Sequence, residues 1–568
     1  MAEAILSPGV FQNESDQSLV QRGIVGAATA IVGPTVLGQP YIPTYVTSYS
    51  EYVAKFGEIF KSGSYYYEYF TSLAAKDFFN NGGQTLLVTR IISGSANYST
   101  YASSSVGNFA TSGNSFELET LAWGDQMNST SSMVSGALAS GSATNVRWEI
   151  INVQTGSGTF SLGIRAGNDN DSQKNYLETW PNLSLDPMLP NYISRVIGDL
   201  KPVYDATNNV INYTGSYTNT SQFVRVKSVT GLQPDSFDNN GLYKAAQYSG
   251  SLPAVGSGSF GGGVAATDAT QNMGETITAT NIQGFGGDDY VEAFQLLANR
   301  DEFQFNVLLA PGLTLDTTGN AVSTMISTCE GRGDAIAIVD TKLYGSVVAN
   351  AATAAAGQSS NYAATYYPWV QLYSSGLGKA IWAPASTIIG GVFAFNDQVG
   401  AEWFAPAGLN RGGVPAVLRA ERKLSQADRD TLYNANVNPL ATFPGEGVVV
   451  FGQKTLQKKA TALDRVNVRR LLISLKNYIG QVGNNLVFEQ NTNVTRNRFL
   501  SQVNPYLESV VQRQGLYAYK VVMDDSNNTP DVIDRNQLVG QIYIQPTKTA
   551  EFIILNFNVL PTGATFPA

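Results

Sequence analysis

The chain has no histidine in 568 residues. That removes imidazole as a general acid or base, the Ser-His-Asp and Cys-His nucleophile systems, and histidine-ligated metals. Carboxylate, lysine and tyrosine chemistry remain open. Cysteine is almost absent too. Cys329 stands alone, so no intramolecular disulfide and no thiolate metal cluster can form. A chain this poor in cysteine is expected to be made in a reducing compartment. Charge is scarce: 14% of residues are charged, against about 25% in an ordinary globular protein. A lightly charged surface suits subunits that pack against copies of themselves. With a net charge of -9 and no long Lys/Arg block, direct wrapping of nucleic acid is not expected. No apolar run approaches the ~20 residues of a membrane span, and the most apolar stretches, such as 448–451, are strand-sized. The N-terminus lacks a basic segment followed by an apolar one, so no signal peptide is expected.

What is present is a strand- and turn-rich composition, with 43% hydrophobic residues, 55 glycines and 29 tyrosines. The length predicts roughly three or four domains. Residues 1–22 are too polar and too short to build a core and read as an N-terminal arm. Residues 23–92 carry a compact αβ pattern. An apolar run over 23–35 ends at Gly33-Pro34 and predicts a buried strand and turn. Residues 50–56 predict a short helix capped by Ser50, and 65–79 a helix with aromatics on one face. Asn80-Asn81-Gly82-Gly83 stops that helix, and 84–92 predicts a strand. At residue 93 the texture turns rich in Ser, Thr, Asn and Gly, and 93–283 reads as a mostly-β surface insertion of one or two domains. The αβ pattern resumes over 284–546. Helices are predicted at 289–300, 324–331, 456–478 and 496–514, and strands at 304–310, 334–340, 367–373, 447–452 and 485–489. Such alternation predicts an αβ sheet with at least partly parallel order. The fold class is therefore α/β (α+β), multidomain, with extended arms at both ends. The last stretch, 537–560, contains two alternating β-rich runs around a Pro-Thr-Lys-Thr break. Its C-terminal part, 547–568, reads as an arm whose edge could add to another sheet.

Several short motifs invite a chemical reading and lose it in context. Residues 284–289 (GFGGDD) lack the Lys-Ser/Thr of a phosphate loop and predict a turn into a capped helix. Residues 256–261 (GSGSFG) spell GxGxxG without the flanking strand and helix, and predict a flexible Gly/Ser loop. Asn168-Asp169-Asn170-Asp171-Ser172 opens like a calcium loop. Counting from Asp169, however, Lys174 falls where glycine is needed and Trp180 where glutamate is needed, so a solvated turn is expected. Arg332-Gly333-Asp334 precedes an apolar strand and reads as a turn entering the core. Cys329 reads as a small buried apolar residue. One charged feature remains. Lys454, Lys458, Lys459, Arg465, Arg469, Arg470 and Lys476 face a single acid, Asp464, over 454–476. This stripe on a predicted helix is either a solvated face or a docking surface for an acidic partner.

In order along the chain, several motifs resemble those of bacteriophage contractile tail sheath proteins, a family that includes R-type pyocin sheaths. They are Leu6-Ser7-Pro8-Gly9-Val10, the 284–289 turn, residues 306–312 (NVLLAPG) and 329–340 (CEGRGDAIAIVD), Trp382-Ala383-Pro384-Ala385, Ala405-Pro406-Ala407-Gly408 and 443–456 (FPGEGVVVFGQKTL). The densest match is Val466-Asn467-Val468-Arg469-Arg470-Leu471 followed by Phe488-Glu489, and 546–557 resembles the family's final strand. Asp289 departs from the pattern, since many members carry glycine there. Residues 93–283 match no motif, as expected of a variable outer insertion. The resemblance implies a non-enzymatic structural subunit without cofactor or metal. Many copies would form a helical cylinder around an inner tail tube protein, with baseplate and tail terminator proteins as further partners. Contraction would drive the tube through a target envelope. The protein would be made in a bacterial host cytoplasm and reside in the virion tail, with no stable membrane insertion. The resemblance implies inter-subunit arms at Ser7, Pro8, Gly9, Val10 and at Phe552, Ile553, Ile554, Leu555. It implies a tube-facing helix carrying Lys458, Lys459, Arg465, Arg469, Arg470 and Lys476. Two alternatives stay open on the residues alone. One is a tail tube or fibre subunit. The other is a glycan-processing enzyme with a pair of carboxylates.

Overall fold

The computed structural model describes residues 28–62, 65–92, 101–107, 113–123, 127–230, 251–263, 283, 288–315 and 320–551. The arm residues Ser7, Pro8, Gly9, Val10, Phe552, Ile553, Ile554 and Leu555 lie outside them, as do residues 284–287.

An eight-stranded sheet organises the core. Its strands are β1 (Ala28–Gly33), β2 (Thr44–Val46), β3 (Leu86–Arg90), β4 (Phe305–Thr314), β5 (Ile336–Asp340), β6 (Ala363–Tyr367), β7 (Asn438–Phe443) and β8 (Gly447–Val450). They lie in the order β2-β3-β1-β4-β5-β6-β7-β8. The interior pairs are parallel, and the two edge pairs, β2–β3 and β7–β8, are antiparallel. Strands buried on both faces need continuous apolar runs, which is what ATAIVG in β1 supplies. Alternate side chains feed two cores. Ala30, Val32, Leu308 and Val339 meet Phe294, Met325 and Cys329 on one face. Ile31, Val88, Leu309 and Ile338 meet Leu73, Phe78, Ile389 and Phe393 on the other.

The helices covering these faces are α1 (Tyr49–Phe56), α2 (Phe70–Asn80), α3 (Asp288–Leu296), α4 (Ala321–Arg332), α5 (Val348–Ala356), α6 (Ser386–Val399) and α7 (Gln426–Asn434); α8 (Val466–Asn484) and α9 (Asn493–Gln512) follow. Several differ from the sequence expectations. The cap of α1 is Ser48, whose side chain accepts from Glu51 N–H, not Ser50. The expected helix over 65–79 divides into a hairpin, Ile59–Ser62 with Tyr65–Glu68, and α2. Three consecutive tyrosines favour the pleated conformation over the helix. Strand β4 runs on through Pro311-Gly312 with an irregular register against β5. There the Asp340 carboxylate accepts from Gly312 N–H at 3.2 Å, from Ser386 N–H at 2.9 Å and from the Ser386 hydroxyl at 2.6 Å, tying the bulge to the start of α6. Helix α8 begins at Val466, not 456, because Lys454 and Arg465 are bridged as β partners and hold the intervening chain out of a helix. The strand expected at 485–489 is a turn between α8 and α9.

The two halves of the sheet come from either side of the insertion, yet β1 lies directly between β3 and β4. Tyr41 explains how. Its hydroxyl donates to the Ile92 carbonyl at 3.3 Å and lies 3.4 Å from the Asp289 carbonyl. The chain therefore leaves and re-enters the core at one point. Within the insertion, a four-stranded sheet of Tyr176–Ser184, Thr159–Ala166, Val146–Gln154 and Gly256–Ser259 faces a three-stranded one of Val224–Val229, Asn114–Trp123 and Tyr101–Gly107. Phe116 stacks on Phe160 between them, with centroids 5.5 Å apart. Residues 256–259 are thus a strand and not a flexible loop. Gly258 is required because the Trp148 ring lies over it, and a Cβ there would sit 2.4 Å from the indole.

Beyond the main sheet, α8 and α9 pack on a hairpin of β9 (Leu516–Val522) and β10 (Gln541–Pro546). Their shared core contains Leu471, Leu475, Phe499, Val503, Leu507 and Leu516, with Trp403 closing it. Trp403 Nε1 donates to the Arg513 carbonyl at 3.0 Å.

Candidate functional site

The six residues implied as tube-facing do not form one stripe. Arg469 and Arg470 are the fourth and fifth residues of α8 and are each 3% exposed. Arg469 donates to the Asn361 carbonyl and side chain at 3.1 and 2.7 Å, and its guanidinium lies over the Tyr362 ring. Arg470 makes a two-pronged pair with Asp397 and covers the Phe393 ring. Burial opposes the Arg470 cation, but the Asp397 carboxylate outweighs it and holds the guanidinium charged. Arg470 joins α8 to α6 and Arg469 joins it to the segment leading into β6, so the expected tube-facing role is corrected for them. Their spacing at the start of an apolar helix puts them on its inward face, where only paired guanidinium groups are tolerated. Arg465 is turned inward as well, toward Glu551. Lys458 and Lys459 are exposed on the segment before α8. Lys476 is exposed on the helix, with its ammonium 3.1 Å from the Tyr362 hydroxyl.

The other outward feature is the β9–β10 hairpin. Along β10 the burial alternates: Ile542 and Ile544 turn toward the α8–α9 core, and Gln541, Tyr543 and Gln545 face solvent. Tyr517 of β9 and Tyr543 of β10 are 65% and 56% exposed. Among the described residues each strand of this sheet has one neighbour, so both outer edges keep free backbone donors and acceptors. A two-stranded ribbon alone is marginal in water. Here the buried face on α8 and α9 holds it in place.

Immediately after β10 the chain crosses a cleft of about 450 Å³ lined by Ala407, Arg429, Tyr433, Phe451 and Gln453. Thr547, just before it, is fixed by bonds to Gln514 O and Gly515 O. Glu551 is itself part of the cleft wall. Its carboxylate accepts from Arg465 Nε at 2.7 Å and Nη2 at 2.9 Å, from the Tyr433 hydroxyl at 2.6 Å and from Gln453 Nε2 at 3.1 Å. Burial raises the Glu551 carboxyl, but these donors win and hold it below the usual carboxylate range. The sequence reading missed this group. Arg465 and Glu551 are 86 positions apart, and no local pattern joins them.

Among the described residues, the motifs that suggested chemistry are structural. Asp169 is bound by Arg165 at 2.7 Å and Arg147 at 3.3 Å, and Asp171 by Arg165 at 3.2 Å. Their charge is met by the guanidinium groups of two buried arginines. Arg332 pairs with Asp334 at 2.9 Å and donates to the carbonyls of Leu297 and Phe303, closing the α4–β5 turn. Cys329 is fully buried, and burial pushes its thiol well above the ordinary range. Among the described residues no helix is long and apolar enough to cross a membrane.

Parts of the chain are similar to known proteins. Residues 283–456 match the family model described as phage tail sheath protein central domain, and residues 458–560 match the phage tail sheath C-terminal domain. The chain is 33% identical over 299 residues to the tail sheath protein of Enterobacteria phage T4, covering 49% of this chain and 45% of that protein. It is 42% identical over 185 residues to the tail sheath protein of Vibrio phage KVP40, covering 33% of this chain and 28% of that one. The matched regions thus span less than half of either relative. A crystal structure of a sheath tail protein from Listeria innocua shares the fold. The TM-score is 0.51 at 10% identity, with 92% of this chain and 96% of that one covered.

Proposed function

We propose, from the premise that this chain belongs through residues 283–560 to the phage tail sheath family, that it is the structural subunit of a contractile tail sheath. Many copies polymerise as a helical cylinder around an inner tube, with baseplate and terminator proteins at the ends, in the virion tail. Contraction drives the tube through the target envelope. The role is structural and requires no catalytic residue.

The observation that carries this reading is the β9–β10 hairpin, anchored on one face and unpaired along both edges among the described residues. Strands from neighbouring copies, for which the arms around Ser7–Val10 and Phe552–Leu555 are the candidates, can complete it by β-augmentation. Backbone ladders of this kind survive a rigid-body rotation of the body they hang from, provided the connecting segments absorb the dihedral change. Lys458, Lys459 and Lys476 stay available for weak, releasable contacts with the tube. Exposed pairs are worth only about 0–1 kcal/mol each, so contraction can break them.

The test is negative-stain microscopy of the purified full chain beside a variant lacking residues 547–568. The full chain is expected to give striated cylinders. The truncated one is expected to give folded subunits without cylinders. Normal cylinders from the truncated variant would remove the arm from the mechanism.

A further inference from the structure

We propose that Glu551 is the pin of a clamp that fixes the stem of the C-terminal segment to its own subunit, so that the following chain departs from one defined point. The stem, residues 547–551, has no ladder of its own. It is held at both ends instead. At the start, the Thr547 hydroxyl and N–H donate to the Gln514 and Gly515 carbonyls at 2.8 and 3.2 Å. At the end, Glu551 collects Arg465, Tyr433 and Gln453. The Gln453 amide also donates to the Thr549 hydroxyl at 2.6 Å. The three partners of Glu551 come from three places: the end of α7, the exit of β8 and the residue before α8. A carboxylate gripped by a two-pronged guanidinium and two further donors is a charge-assisted set, stronger and more directional than neutral bonds. Lys548, Thr549 and Ala550 between the ends are exposed. The clamp is thus the element that keeps this stem ordered.

The consequence for assembly rests on the sheath reading; the clamp itself does not. The test uses the soluble full-length chain and trypsin, which cuts after Lys548 only when the stem opens locally. Release of the 549–568 peptide is followed by mass spectrometry. E551Q keeps the shape of the side chain and removes its charge. It is expected to speed that cut at least tenfold without changing the global melting temperature. R465Q is expected to do the same, and E551Q/R465Q to do no more than either alone, because both remove one interaction. Equal cutting of wild type and E551Q overturns the clamp. The second arm is cylinder yield by microscopy, where E551Q is expected to fall several-fold. A loosened stem with wild-type yield overturns the assembly consequence. Wild-type chains that never form cylinders would defeat the sheath reading and leave the clamp standing.

Discussion

Asp77 is a carboxyl in a site better suited to a neutral group. It is buried in α2, and its Oδ2 has no hydrogen-bond partner. Burial pushes its pKa up to about 7, with the nearby Asn81 amide pulling the other way. The unfolded chain loses this proton near an ordinary carboxylate value of about 4. Between about pH 4 and 7 the folded state therefore binds more protons than the unfolded one, and stability falls as pH rises. Above about 7 the penalty is complete and flat. Asp77→Asn is expected to remove this slope and to stabilise the protein at pH 8 by a few kcal/mol. Each tenfold change in proton affinity between the folded and unfolded chain is worth about 1.4 kcal/mol, and local relaxation around the charged carboxylate reduces the total. Urea melts of both proteins at pH 5 and pH 8 check it; parallel pH dependence would count against it. The same logic explains why reversing Arg470 to glutamate would report on folding and not on tube contact. The substitution would bury two facing carboxylates where one ion pair stood. Residue types and their absences were legible in the sequence at this scale: the missing histidines and the buried Cys329 needed no structure. Partner choice was not legible, because Arg470–Asp397 and Arg465–Glu551 are set by packing between distant segments.

Helix α6 meets α2 through a glycine, with the Asp77 and Asn81 side chains packed directly against Gly391. A Cβ added at Gly391 would sit 2.1 Å from Asp77 Oδ2 and 2.7 Å from the Asn81 amide. Gly391→Ala would gain roughly 1 kcal/mol of helix propensity. It is nevertheless expected to destabilise by about 1–3 kcal/mol, because the added methyl would overlap the buried Asp77 carboxylate and the Asn81 amide, which would have to shift. Thermal melts decide the sign, and a raised melting temperature would show that the crossing has slack. This close approach also explains why α6 was invisible from sequence, since its paired glycines read as a poor helix. Elements whose burial is continuous or alternating were legible: β1, β3, β4 and β5 fall where the apolar runs predicted them. Elements shaped by distant partners were not. The tyrosine run at 65–67 pairs in a hairpin, and the start of α8 is set by the Lys454–Arg465 bridge. The hairpin of β9 and β10 was legible as alternation in β10 only; its partner β9 was not foreseen.

At the scale of the molecule, the main sheet is assembled from both sides of the insertion, and the insertion brings its own core of Phe116, Trp148, Phe160 and Leu162. Replacing residues 93–282 with a short Gly/Ser linker is therefore expected to leave a folded, cooperatively melting body. Gln283 is kept because its side chain bonds Phe70 N–H at 2.9 Å and donates to the Pro311 carbonyl at 3.2 Å. The loss should be limited to contacts such as the stacking of Tyr204 on Tyr41. Circular dichroism and a single melting transition check this; a molten product would show that the insertion holds the sheet together. The single gateway under the Tyr41 hydroxyl has one more consequence. A passenger domain grafted there, with its own closely spaced termini, would leave the host's strand order undisturbed, and each copy would carry it at the same address. Once such copies are stacked, the passengers would form a regular lattice whose spacing is dictated by the scaffold and not by the cargo.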